Sequence, residues 1–181
     1  MILLPTLAPR LDDFRAALAA LPVDQQRNFM HGLPKREMRK LWEEGVPVLL
    51  DELIGGEGEI VVQEGQNDLL PFFDRFEKHV VRREGGAQGI NVQRFAWATG
   101  PGHFTLRQEG PEVWFDYTVV PASVPEGWPP VVSNEQGLSK LVYGHMIDRV
   151  RGVIPGMTVG KVFRHGKPEE HYFMLSRHLV A

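Results

Sequence analysis

The chain has 181 residues, of which 43% are hydrophobic, and carries 20 lysines and arginines against 23 aspartates and glutamates. A formal charge of −3 and a pI near 6.2 lack the basic surplus of a general nucleic-acid binder, so we expect no nucleic-acid partner. The absence of cysteine excludes disulfides, thiol nucleophiles, cysteine-ligated zinc and iron–sulfur clusters.

The length favours a single domain over residues 1–181, with a helical N-terminal segment over 1–56 and a body over 57–181. No apolar stretch approaches the roughly 20 residues of a membrane-spanning helix. The opening MILLPTLAPRLDDF has no basic n-region, and proline interrupts its apolar run, so it does not resemble a signal peptide. We therefore expect a cytoplasmic protein with no membrane partner.

Residues 11–54 carry apolar side chains at helical spacing, separated by prolines. In LDDFRAALAALP, Phe14 and Leu18 are four residues apart, and the final proline ends the helix. A second short helix ends before Pro34, which suits the first turn of a third helix in PKREMRKLWEEG. VPVLLDELIGG predicts one more short helix, stopped by its two glycines.

The body is predicted to mix strands with two longer helices. EIVVQ is typical of a strand, and QNDLLPFFDRFEKHVVRR predicts an amphipathic helix with Phe72, Phe76 and Val80 on one stripe. INVQRFAWAT, HFTLRQ and EVWFDYTVV predict an antiparallel meander. NEQGLSKLVYGHMIDRVRGVI predicts the second long helix, and MTVGKVFRH and EEHYFMLSRH two final strands. The expected fold class is α+β, with an antiparallel sheet of about six strands packed by two longer helices.

The stretch ATGPGHFTL, residues 98–106, resembles a phosphate-binding loop only superficially. Its sixth motif position is Thr105 instead of glycine, and a strand follows in place of a helix. We interpret it as a tight turn in which Gly102 has a positive φ. His103 then begins a strand at the rim of the sheet.

Candidate acid–base residues are few. His145 and Asp148 are three residues apart and would share a face of the predicted helix, as joint metal ligands or as a base with its orienting carboxylate. A metal would need a further ligand, for which His103 and Asp116 are the candidates. The simpler alternative is that His145 is hydrogen-bonded locally and Asp148 pairs with an arginine.

A second histidine pair, His165 and His171, lies on either side of a predicted hairpin turn, where the two side chains could share a metal. Solvated hairpin side chains are the simpler explanation. The sequence assigns no metal site.

Aromatic residues on the strands and on the proline-rich loop 121–133 could line a cavity for an apolar ligand, with Trp128 lying over it. Packing in the core is the simpler explanation. The predicted ligand-binding residues are Trp97, His103, Trp114, Tyr117, Trp128 and Tyr143.

Two functions are compatible with this pattern. The first is a non-enzymatic binding or interaction protein that holds a small apolar ligand or a protein partner. The second is an enzyme in which His145 is the base, Asp148 or Asp116 its orienter, and His103 an acid or ligand. Because no hydrolase, zincin or kinase motif is present and no cofactor is indicated, we favour the first. The enzyme requires the histidines and a carboxylate to converge in one pocket.

Overall fold

The computed structural model describes residues 11–69, 74–93 and 99–177. The helices within these ranges are α1 (Leu11–Ala19), α2 (Val23–His31), α3 (Lys35–Glu43), α4 (Leu50–Leu53) and α5 (Gly137–Tyr143). The strands within them are β1 (Ile60–Asn67), β2 (Arg75–Arg83), β3 (Gly86–Gln93), β4 (His103–Glu109), β5 (Glu112–Asp116), β6 (Met146–Ile154), β7 (Met157–Arg164) and β8 (Lys167–Arg177). None of these helices is long and apolar enough to cross a membrane.

The strands form a closed antiparallel barrel. Each strand pairs with the next along the chain, and β1 also pairs with β8. At the closure, Gly65 lies opposite Phe76 on one side and Leu175 on the other. The predicted α+β fold, a six-stranded sheet packed by two longer helices, is therefore wrong. An eight-stranded barrel encloses an interior that side chains fill or that holds one small ligand.

Both predicted long helices are largely strands. The segment predicted as the first helix contributes the end of β1 and all of β2. The segment predicted as the second contains only α5, after which Gly144 and His145 lead into β6. The helix ends at Gly144, whose ψ of 129° is extended, and the left-handed φ of 53° at His145 also prevents it from continuing. The predicted N-terminal helices are present as α1–α4.

Successive strand residues point alternately into the barrel and away from it. In β2 the interior positions are Phe76, Lys78 and Val80. In β6 they include Met146 and Asp148. The interior thus receives one lysine and one aspartate among apolar side chains.

Helices α1–α3 cover the outer face of β6–β8. The buried residues of this layer include Phe14, Leu18, Met30 and Leu41 from the helices. The strand side chains that they meet are Val153, Met157, Val159, Tyr172 and Met174. Because burying a large apolar side chain contributes about 1.5–3 kcal/mol, this docking accounts for a substantial part of the stability.

The two ends of the barrel are closed differently. At one end Val48, Leu53 and Ile54, in and beside α4, join the interior apolar cluster. The other end is covered by the long connection from β5 to β6, which contains α5. Tyr143 of α5 enters the barrel. The predicted positive φ of Gly102 is confirmed at 53°. This residue lies at the α5 end, below the ring of Tyr143.

Candidate functional site

A cavity of about 280 Å³ occupies the barrel at the α5 end. Its inner walls come from β2, β3, β6, β7 and β8, and its rim includes Leu69, Leu141, Arg164, Glu169 and His171. Leu141 is 76% exposed and Leu69 is 48% exposed. The cavity is therefore reached from solvent between partly exposed side chains, whereas its deep end lies inside the barrel.

Lys78 lies at that deep end. The residue is 1% exposed, and its Nζ donates to Asp148 Oδ2 at 3.0 Å. Nζ also donates to the Tyr117 hydroxyl, and Asn91 Oδ1 lies 3.5 Å away. The strands place these groups together because Lys78 and Asp148 occupy interior positions on opposite sides of the barrel.

Aromatic rings surround the ammonium group. Among the described residues, the rings whose centroids lie 5.0–5.5 Å from Nζ belong to Phe76, Phe104, Phe115, Tyr117 and Phe173. We call this set the aromatic cage. A cation near aromatic faces gains about 0.5–2 kcal/mol per favourable contact, so the cage favours a positive charge at this point.

Glycines on neighbouring strands make room for the cage. Gly65 lies opposite Phe76, Gly89 opposite Phe104, and Gly160 opposite Phe173. A Cβ on Gly160 would lie 2.5 Å from Cε1 of Phe173, and one on Gly89 would lie 2.6 Å from the ring of Phe104. Since nonbonded carbon atoms prefer about 3.5–4.0 Å, the rings occupy these places only because the side chains opposite are absent.

Burial shifts the protonation equilibria of the site. Burial lowers the pKa of Lys78 below its ordinary value, and the nearby Asp148 carboxylate offsets only part of this effect. Burial, reinforced by Asp148, raises the pKa of the Tyr117 phenol well above its ordinary value. Tyr117 therefore stays neutral at physiological pH.

Asp148 has unused bonding capacity. The residue is 4% exposed, its Oδ2 accepts from Lys78, and its Oδ1 has no hydrogen-bond partner in the described part of the chain. A buried acceptor without a partner costs about 1–3 kcal/mol. Asp148 is also one of the residues that line the cavity.

The structure places three of the sequence-predicted residues at this cavity: Tyr117, Tyr143 and Asp148. The ring of Tyr143 stacks on that of Tyr117, with centroids 5.2 Å apart and an interplanar angle of 10°. The Tyr143 hydroxyl accepts from Gln93 Nε2 at 2.9 Å and from Asn91 Nδ2 at 3.3 Å.

The histidine candidates lie elsewhere. His103 is fully buried outside the cavity, where Nε2 donates to the Pro130 carbonyl at 3.1 Å. Burial lowers its pKa, which that hydrogen bond partly offsets. His145 is half exposed, and its Nε2 lies 3.2 Å from Glu135 Oε2. These histidines and Asp148 therefore do not converge in one pocket.

The other carboxylate and indole candidates also lie outside the cavity. Asp116 forms an ion pair with Arg107 and accepts from the Thr118 amide at 2.9 Å, which fixes the turn after β5. The ring of Trp114 faces outward and lies 4.0 Å from the guanidinium carbon of Arg149.

Trp128 is half-buried against the outer face of β2, with its ring 6.4 Å from that of His79. It does not line the cavity. Trp97 falls outside the described residues.

The second histidine pair is separated. The ring of His165 lies 4.2 Å from that of His145, whereas His171 pairs with Asp68 at 3.0 Å. Over the ranges described, no group of three or more histidines and carboxylates has the arrangement of a metal site.

Phe115 and Phe173 are among the strand aromatics that the sequence offers for a cavity, whereas sequence reasoning missed Lys78, Asn91, Gln93, Phe76 and Phe104. One signal was available in FEKHV, where Phe, Lys and Val alternate with Glu and His. This period-two pattern with a charged middle member is what an interior lysine on a strand produces.

The chain matches no protein-family model, no curated protein and no solved structure. Functional inference therefore depends on the barrel and its cavity alone. A β-barrel with a buried aromatic cluster is compatible with a binding module.

Proposed function

We propose that this protein is a non-enzymatic binding protein that holds one small molecule in the barrel cavity. The ligand has an apolar body and a single polar group, which faces Asp148 and Lys78. The observation that carries this proposal is the cavity itself, whose wall combines aromatic and aliphatic side chains with polar ones, among them the buried pair of Lys78 and Asp148. Pockets with apolar walls and a few convergent polar groups are typical of small-molecule sites.

The volume limits the size of the ligand. An apolar cavity of about 150 Å³ holds benzene. A cavity of 280 Å³ therefore has room for about ten to twelve non-hydrogen atoms, by the same comparison. One aromatic ring with a short polar arm fits this size, since Tyr143 and Phe76 on the wall provide apolar surface.

The enzyme alternative has less support. Of its candidate residues, only Asp148 lines the cavity, while His103 and Asp116 are engaged on the outer side of the barrel. A histidine–carboxylate mechanism needs its members within hydrogen-bonding reach of one substrate.

The test uses 3-phenylpropan-1-ol, an apolar ring with a hydroxyl that can donate to Asp148. Thermal unfolding with increasing alcohol should show a concentration-dependent rise in Tm, since a ligand at 100 times its Kd adds about 2.7 kcal/mol to the free energy of unfolding. Titration calorimetry should give one site per chain.

Two tryptophan variants of α5 separate cavity binding from surface binding. Val142 lines the cavity, so Val142→Trp should fill it and abolish the Tm rise. Leu138 is on the same helix, is 56% exposed and does not line the cavity, so Leu138→Trp should leave the Tm rise unchanged. Equal binding by both variants, or no binding by the parent protein, would contradict the proposal.

A further inference from the structure

We infer that Lys78 is a covalent anchor: its ε-amine condenses with the carbonyl group of an apolar aldehyde or ketone bound in the cavity, giving a Schiff base paired with Asp148. The inference rests on the proposed function, because the cavity must first admit the apolar body of the ligand.

The position of the amine supports this inference. Lys78 extends from β2 into the barrel, where it is 1% exposed and is one of the residues that line the cavity. A ligand whose apolar body fills the cavity therefore presents its polar end to Nζ. A carbonyl carbon held beside an amine reacts as an intramolecular partner, which raises the effective concentration of the amine by orders of magnitude.

Asp148 is placed to move the protons that the condensation requires. Oδ2, 3.0 Å from Nζ, accepts a proton from the ammonium and leaves a neutral amine. The amine lone pair attacks the carbonyl carbon while the C=O π electrons move onto oxygen, and a proton then passes from the attacking nitrogen to that oxygen to give a neutral carbinolamine. Asp148 then returns a proton to the departing hydroxyl, which leaves as water while the nitrogen lone pair forms the C=N bond. The net change is R–NH₃⁺ + O=CR′₂ → R–NH⁺=CR′₂ + H₂O.

The unpartnered oxygen has a role in this sequence. Oδ1 has no hydrogen-bond partner among the residues described. The hydroxyl of a carbinolamine is a donor on the carbon that is bonded to Nζ, and Oδ1 belongs to the carboxylate that already accepts from Nζ. A purely structural ion pair would leave this oxygen without a function.

The surroundings suit the product as well as the reactant. A protonated Schiff base is a cation at the same place as the ammonium, so the aromatic cage and Asp148 stabilise both. Burial lowers the pKa of Lys78, so more of it is neutral at a given pH than in an ordinary lysine.

Other titratable groups face the same cavity. Asp148 and Tyr117 contact Nζ, and the other titratable residues that line the cavity are Tyr143, Asp68, Arg164, Glu169, His171 and Tyr172.

The experiment incubates the intact protein with 3-phenylpropanal and sodium cyanoborohydride, which reduces a Schiff base to a stable amine. Peptide mass spectrometry then locates the adduct. We expect Lys78 to be modified roughly tenfold faster or more than Lys40, a half-exposed lysine on α3, because the cavity holds the carbonyl beside the amine. 3-Phenylpropan-1-ol, which cannot form a Schiff base, should compete.

Matched variants test the anchor and the proton carrier. Lys78→Arg keeps the positive charge and should lose the cavity adduct. Asp148→Asn should slow modification of Lys78 by about a hundredfold, the scale of general acid–base assistance. Glu112→Gln removes another buried carboxylate, which pairs with Arg151 outside the cavity, and should leave the rate unchanged.

The possible outcomes separate the two proposals. If the alcohol raises Tm but Lys78 is modified no faster than Lys40, the covalent inference is wrong and the binding function stands. If neither compound raises Tm and no selective adduct forms, both are wrong. If Asp148→Asn does not fold, competition by 3-phenylpropan-1-ol in the parent protein still tests the inference. Modification of Lys78 that is equally fast with the alcohol present would contradict anchoring in the cavity.

Discussion

The packing of Phe173 against Gly160 gives the sharpest test of how the cage is built. In Gly160→Ala the new Cβ would lie 2.5 Å from Cε1 of Phe173, about 1 Å inside the 3.5–4.0 Å that carbon atoms prefer. The ring cannot retreat freely, because it packs edge-on to Phe76 with centroids 6.0 Å apart and lies 5.5 Å from Lys78 Nζ. The barrel must therefore distort.

Overpacking of this kind typically costs about 1–3 kcal/mol. For a chain of this size each kcal/mol lowers Tm by about 2–4 °C, so we expect Gly160→Ala to melt about 2–12 °C below the parent protein. Urea unfolding should give the same free-energy loss with an unchanged slope.

Two variants control for other effects of adding a methyl group. Gly32→Ala places a Cβ 3.6 Å from its nearest neighbour, at a φ of −100°, and should change the free energy of unfolding by no more than about 1 kcal/mol. Phe173→Leu removes the obstructing ring, so combining it with Gly160→Ala should recover about 0.5–3 kcal/mol relative to additivity. A Gly160→Ala protein that melts with the parent, or strictly additive energies, would refute the packing argument.

Three further predictions concern stability. Gly102→Val, at a φ of 53° and with its Cβ 2.5 Å from Cζ of Tyr143, should lose about 1–3 kcal/mol or more in urea unfolding; an unchanged midpoint would contradict this. Deleting residues 1–55 exposes the outer face of β6–β8 and opens the α4 end, so we expect insoluble or molten protein, and cooperative melting at the parent temperature would show otherwise. Lys78→Met alone should cost about 3–5 kcal/mol, whereas Lys78→Met with Asp148→Leu should be at least as stable as the parent protein by thermal unfolding; a double variant as unstable as the single one would argue against this.

The N-terminal helices were predictable because their periodicity is not disturbed by polar interior residues. α1 and α3 bury a continuous apolar stripe, with Phe14 and Leu18 in one and Met38, Leu41 and Trp42 in the other. Strands β4, β5, β7 and β8 were predictable because they are rich in β-branched and aromatic residues, which are typical of strands.

The two strands that carry Lys78 and Asp148, β2 and β6, were not recognised as strands. In β2 the central interior residue is Lys78, and in β6 an interior position is Asp148. A charge at an interior position weakens the period-two hydrophobic signal, and the apolar residues of both segments also fit helical spacing. The residues that form the site were thus the same ones that concealed its strands.

Closure of the barrel also lay beyond sequence reasoning. The pairing of Glu64 with Ser176 joins residues more than a hundred positions apart, and no local pattern specifies such a partner. Without closure there is no interior, and Trp114, His103 and Tyr117 look equally suited to a ligand site. Only the closed register separates Tyr117, which faces inward, from the other two.

The energetics of the interior support the proposed binding function. A buried ion pair contributes little to stability and is often replaced by apolar residues without loss. Here the pair of Lys78 and Asp148 also leaves Oδ1 without a partner, next to space that larger side chains could fill. Glycines such as Gly160 have no side chain to pack, and aromatic rings such as that of Phe173 occupy the space near Nζ instead. Departures from optimal packing and hydrogen bonding are expected at functional sites, and in this barrel these departures meet at the single point where a bound carbonyl would lie.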